Sequence, residues 1–233
     1  DYAPVLDVHS NPENPIIGKR AISSNPDVVA RLGCKIIQGF KDAGTFPVGK
    51  HFPGHGDTSQ DSHLTLPRVE RSKESLEKIE LVPFAQAFLE GLDVIMTAHV
   101  VYPAWDEDSA ATFSNYILND LLRKKMQFQG LVMSDDLEMH AVTQTPEELP
   151  ALAINAGVDL FLICHDLDKV TRLQDAMIDG IETGKIPHET VDHSFNRIIK
   201  SKEKLTDDNE MDLEQILEEN KKLAEEMRSY LTE

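Results

Sequence analysis

Residues 50–67, KHFPGHGDTSQDSHLTLP, gather lysine, histidine, aspartate and glycine directly behind an apolar run, and three chemistries could use them. As a metal site the ligands would be His51, His55, His63, Asp57 and Asp61. Two histidines four apart share a face only on a helix, and Pro53, Gly54 and Gly56 forbid a regular helix between His51 and His55, so the spacing loses its geometric reason. A phosphate cradle needs glycine-rich backbone leading into a helix N-terminus with a cation beyond it. Here the lysine precedes the glycines and an acidic segment follows. Proton transfer fits better. In Asp61-Ser62-His63 a carboxylate two residues from an imidazole can fix its tautomer and stabilise the imidazolium, making His63 a proton shuttle near neutral pH. A second acidic site, Ser134-Asp135-Asp136, supplies a carboxylate that could oppose the shuttle, which is the equipment for double displacement at an acetal carbon. Pleat alternation allows only one of Asp135 and Asp136 to point along the axis of a barrel and does not choose between them.

These residues must be positioned by the elements around them. Tyr2–Val8, Phe46–His51, Asp93–Val100, Gly130–Leu137 and Gly157–Cys164 read as strands, apolar almost throughout. Between them lie helical patterns: one capped by Asn25 with Pro26 in its first turn and stopped at Gly44, one with a new segment opening near Pro83, one from Ser114 to Phe128, and one from Glu147 to Ala156. Strands apolar on both faces and separated by single helices imply a parallel sheet covered by helices, either a (β/α) barrel or a doubly wound sheet. In both, active residues collect at the C-terminal ends of strands, where Asp7, Lys50, His51, His99, Asp135 and Asp136 fall. No GxGxxG or GxxxxGK[ST] follows a strand, which argues against a nucleotide.

The chain has 233 residues, 40% of them hydrophobic, enough for one sizeable core, and a formal net charge of −18. That surface repels phosphate backbones and anionic lipid, so neither nucleic acid nor membrane is expected as a partner. No apolar run is long enough to cross a bilayer, no leader pattern is read, and the chain opens at Asp1 without a methionine. Two cysteines, Cys34 and Cys164, suit packing in a reducing, cytoplasmic compartment better than a disulfide framework. Residues 1–205 read as one catalytic unit and 206–233 as a charged helical tail.

Through KHFPGHGDTSQDSHLTLP and the downstream VMSDDLEM, the sequence resembles the β-N-acetylglucosaminidases of glycoside hydrolase family 3, enzymes of cell-wall recycling. The likeness also takes in YAPVLDV, NPIIGKR, MTAHVVYPAWD, LRKKM and AGVDLFLI, and runs to about residue 205. It departs from the family at the helix end KKMQFQG, where Gln127 replaces the usual glycine. The resemblance implies a TIM-type (β/α)8 barrel, incomplete at the N-terminus with about five to six βα units present. It implies retaining hydrolysis of terminal β-linked N-acetylglucosamine from muropeptides, without cofactor or metal. Asp135 matches the nucleophile, His63 the acid/base and Asp61 its orienting partner. Lys50, His51 and Arg20 match residues that hold the sugar. The alternatives are another family 3 β-glycosidase, a glycoside phosphorylase, and, in a different class, an inactive fragment or a non-catalytic sugar- or metal-binding protein.

Overall fold

Apolar runs and capped amphipathic stretches become alternating strands and helices in the computed structural model, which describes residues 2–59, 66–205 and 213–231. The strands are β1 (Val48–Phe52), β2 (Val94–Thr97), a short hairpin of β3 (Val101–Tyr102) and β4 (Asp106–Ala110), β5 (Leu131–Asp136) and β6 (Leu160–Leu162). Parallel pairing joins β1, β2, β5 and β6 in chain order. Tyr2–Val8 adds a fifth parallel segment on the free side of β1, through Val48 N to Ala3 O at 2.7 Å, Lys50 N to Pro4 O at 3.1 Å and Leu6 N to Lys50 O at 2.7 Å. A doubly wound sheet reverses its strand order at a switch point. This one never does, so the five segments form an arc of a (β/α) barrel, the first of the two architectures that patterning left open.

The helices follow their local signals. In α1 (Pro26–Asp42) the Asn25 side chain accepts from Asp27 N and Val28 N, and Gly44 stops the chain at φ +70°. Next come α2 (Lys73–Lys78), capped by Ser72, and α3 (Leu81–Leu89), which packs on α1 with Pro83 inside its first turn. The Ser114–Phe128 pattern forms a π-helix over Tyr116–Lys125, with Ser114 Oγ accepting from Ile117 N at 3.2 Å. Then α4 (Leu149–Ala156) ends at Gly157 in the left-handed region, and α5 (Leu167–Glu182), α6 (His188–Lys202) and α7 (Leu213–Leu231) follow. Gln127, where the family pattern has glycine, is the single non-glycine at positive φ (58°) among the described residues, and its side-chain amide donates to the Lys124 carbonyl. None of these helices is long and apolar enough to cross a membrane.

The main core lies between sheet and helices and includes Ile37, Phe52, Phe84, Ile95, Leu121 and Val132. On the opposite face Val48, Val94, Met96 and Leu131 cluster with Met133, Leu160, Leu162 and Ile198 of α6. Just before β6 the fully buried side chain of Asp159 accepts from Arg123, Arg197, Ser194 and the Val132 amide, at 2.6 to 3.2 Å. Those bonds tie the π-helix, β5 and α6 together at the N-terminal end of the sheet. Both cysteines are free. Cys34 is half-buried, but Cys164 is exposed, contrary to the expected packing role, because β6 ends at Leu162 and the chain has already turned into a surface loop.

Candidate active site

The polar residues at the C-terminal strand ends converge. Asp135, near the end of β5, keeps 19% of its side chain exposed and places Oδ2 3.9 Å from Nε2 of His51 on β1. His51 is aimed by Asp7, the last polar residue of the first parallel segment. Its Nδ1 lies 2.7 Å from Asp7 Oδ2, and Asp7 Oδ1 accepts from the backbone N–H of His51 (3.0 Å) and of His55 (2.7 Å). Asp7 is fully buried, which alone would push its pKa up. The attraction and hydrogen bond of His51, with the charge and amide of His55, outweigh burial and hold the carboxyl below the usual aspartate range. A carboxylate at Nδ1 makes that nitrogen the donor and leaves Nε2 as the ring atom that faces Asp135.

Lys50 is nearly buried, its Nζ 6.0 Å from the Tyr2 ring centroid. Burial lowers its pKa, the neighbouring charge of Arg20 lowers it further, and Asp135 and Asp7 act against the shift. Arg20 ends a short 3-10 turn over Gly18–Arg20 and is close enough for its charge to register on Lys50. Of the six residues singled out from sequence, Asp135, His51, Lys50 and Arg20 therefore share one neighbourhood. The other two, Asp61 and His63, lie outside the described residues.

Two further histidines are structural parts of the same layer. Burial lowers the His55 pKa to about 4, the charge of His51 adding to it, and its Nδ1 meets Thr58 Oγ1 at 2.9 Å. Burial likewise lowers His99. Its Nε2 lies 3.2 Å from the Asp136 carbonyl, which can only accept, so the proton sits on Nε2 and Nδ1 receives the Thr112 hydroxyl at 2.8 Å. Thr97 Oγ1 closes the chain on Thr112 at 2.8 Å. His99 thus pins the Asp136–Leu137 peptide, one residue beyond Asp135. Asp136 turns the other way, its Oδ1 accepting from Glu138 N at 3.1 Å, while Asp135 Oδ1 accepts from Asp136 N at 2.8 Å.

Asp136, Glu138 and His165 bring ligand atoms within 4.8 Å of one another. Glu138, however, already accepts from the N–H groups of Cys164, His165 and Asp166 at 2.7, 2.7 and 3.0 Å, so it clamps the loop after β6 to the loop after β5. Among the ligands considered from sequence, Asp57 is held by Arg71 at 2.6 Å, and His51 and His55 are engaged by Asp7 and Thr58. Asp7 and Glu138 were not assigned as site residues from sequence. Asp7 carried one usable signal, its place at a strand end, whereas the loop amides that explain Glu138 leave no trace in residue types.

The loop itself is shaped by glycines where nothing larger fits. A Cβ on Gly56 would lie 1.6 Å from the Val8 carbonyl oxygen, so the turn passes directly against the first parallel segment.

The family model described as "Glycosyl hydrolase family 3 N terminal domain" matches residues 1–201. Beta-hexosaminidase A of Pseudoalteromonas piscicida is 36% identical over 225 residues, covering 88% of this chain and 38% of that protein. A beta-hexosaminidase of Tolumonas auensis is 42% identical over 184 residues, 78% of this chain and 53% of that protein. Among solved structures, a glycoside hydrolase family 3 beta-N-acetylglucosaminidase from Paenibacillus superposes with a TM-score of 0.88 at 40% identity, covering 91% of this chain and 41% of that one. The chain spans about half or less of the length of these three relatives.

Proposed function

The chain belongs to glycosyl hydrolase family 3, and on that premise we propose that it carries the catalytic centre of a retaining exo-β-N-acetylglucosaminidase. The observation that carries this reading is the Asp7–His51–Asp135 line: a carboxylate at a strand end facing an imidazole whose orientation a buried aspartate holds. In the proposed reaction an Asp135 oxygen attacks the anomeric carbon from the face opposite the leaving group. His63, oriented by Asp61, protonates the departing oxygen. Water, deprotonated by the same histidine, then hydrolyses the glycosyl ester with net retention. Lys50, His51 and Arg20 hold sugar hydroxyls. An imidazole in the acid/base role adds no second negative charge beside the nucleophile, so both groups can keep working protonation states near neutral pH. The β-N-acetylglucosamine specificity is supported by what the relatives are named for. Muropeptide fragments as substrate, and cytoplasmic cell-wall recycling as context, extend that reading and agree with the two free cysteines.

The test is hydrolysis of an aryl β-N-acetylglucosaminide by the protein and by Asp135→Ala, together with trapping of a fluorosugar. Expected are turnover by the parent, a loss of about a thousandfold or more in the variant, and a labelled peptide containing Asp135. A variant as active as the parent, or label on another residue, overturns the assignment. Including phosphate separates the phosphorylase alternative, which releases a sugar 1-phosphate where a hydrolase releases the free sugar.

A further inference from the structure

Glu80 stands at the start of α3, fully buried, and takes no part in the reaction proposed above. Its Oε1 accepts the Ser10 hydroxyl at 2.7 Å, while Oε2 has no hydrogen-bond partner among the described residues. The side chain lies directly under Gly54: a Cβ built there would come within 2.7 Å of both Glu80 Cβ and Oε2, and Gly54 sits at φ +136°. From the other side the Tyr102 hydroxyl donates to the Gly54 carbonyl at 2.6 Å, and burial keeps that phenol protonated. Gly54 is thus held between Glu80 and Tyr102, two residues before the turn that passes Val8 and one before His55, whose amide Asp7 receives.

The surroundings are hostile to a charge on Glu80. Asp7 from the first parallel segment and Asp57 from the loop face it with negative charge. Arg71, a cation in reach, gives a hydrogen bond to Asp57 at 2.6 Å. A buried carboxylate with one oxygen unsatisfied and two acidic neighbours is far costlier than the neutral acid.

We propose that Glu80 is a positioning residue, a neutral carboxylic acid that seats the Gly54 turn and through it the His51–His55 segment of the site; this rests on the glycosidase reading of that site. Burial first, then the charges of Asp7 and Asp57, raise the Glu80 pKa to about 8, with the Ser10 hydrogen bond and Arg71 opposing. The folded state therefore keeps a proton that the unfolded chain releases near the ordinary value of 4.5. Stability linked to Glu80 is fully present below that value, falls as pH rises, and is lost above about 8.

The experiment compares the full chain with Glu80→Gln, which keeps the shape and stays neutral, and with Glu80→Ala. Denaturant unfolding and hydrogen exchange of the 54–58 amides are followed from pH 5 to pH 9. Relative to Glu80→Gln, the parent should lose at least about tenfold in its folding equilibrium constant over that range, and its 54–58 amides should exchange faster at the alkaline end. At pH 7 Glu80→Ala should lower kcat/KM about tenfold or more, with Glu80→Gln restoring it. Parallel behaviour of parent and Glu80→Gln across the pH range overturns the proposal, as does a glutamine variant as impaired as the alanine one. The unfolding and exchange measurements use no substrate, so failure of the glycosidase reading leaves them decisive.

Discussion

Asp7 does at the residue scale what its sequence position only hints at. One carboxylate receives an imidazole N–H and two backbone amides, and so sets both the tautomer of His51 and the path of the loop through His55. Replacing it by asparagine keeps the size but substitutes an amide for a charge-assisted acceptor, which frees His51 to rotate away from Asp135. Asp7→Asn should therefore cut kcat/KM on an aryl N-acetylglucosaminide about a hundredfold, while leaving the chain folded at neutral pH. Because the Asp7 carboxyl is depressed, the stability it contributes is present above the ordinary value of about 3.9 and is lost as pH falls through its folded value. The stability gap between parent and variant should be constant around neutrality and close only in acid; a gap unchanged down to acid unfolding would count against a charged Asp7. The contact was illegible in the sequence because it joins residues 44 apart on neighbouring strands, and residue types alone cannot say which strands are neighbours. Lys50, His51 and the Asp135–Asp136 pair were legible as strand-end residues because each follows an apolar run, and the end of such a run is where a barrel exposes side chains; the choice of Asp135 within its pair came from the family resemblance.

Elements were legible where one physical signal dominated. The starts of the strands at Val48, Val94 and Leu131 announce themselves by their apolar residues, and α1 by Asn25, Pro26 and Gly44. The β3–β4 hairpin was missed because Val101–Tyr102 reads as the continuation of the preceding strand, and Asp106–Ala110 is acidic with no alternating apolar face. The Asp159 cluster was equally hidden, since it draws an arginine from the π-helix and another from α6 to the foot of β6. That cluster sits at the N-terminal end of the sheet, away from Asp135, where barrels keep structure rather than chemistry. Asp159→Ala strands two part-buried guanidinium groups and the Val132 amide, and should destabilise the fold by about 3–5 kcal/mol. Chemical denaturation should show that loss, with kcat at a permissive temperature close to that of the parent. A large drop in kcat with unchanged stability would place Asp159 in the reaction instead.

Across the whole molecule, the five parallel segments leave the two margins of the sheet unequal. At one margin Leu6, Asp7 and Val8 of the first segment are buried, whereas at the other Leu160, Phe161 and Leu162 of β6 are only half-buried, and no described strand pairs with the far side of β6. Beside that margin Phe195 of α6, which lines a cleft with Leu160 and Phe161, is 59% exposed. An unpaired strand next to apolar surface is a template for another chain. The net charge of −18 works against such contact by keeping copies apart. The two effects differ in their response to salt: charge repulsion is screened within about 10 Å at 0.1 M, while apolar burial is not weakened by screening. The 233-residue chain should thus be monomeric at low ionic strength and associate as salt is raised from about 0.05 M to about 0.5 M. Sedimentation velocity would read this directly, and Phe195→Lys should shift the onset to higher salt. A polypeptide bearing additional βα units ahead of residue 1 offers β6 a strand to pair with, so it should stay monomeric over the same range. If the 233-residue chain shows no association at any salt, and the Phe195 variant behaves identically, the β6 margin is not the exposed edge that its half-buried leucines indicate.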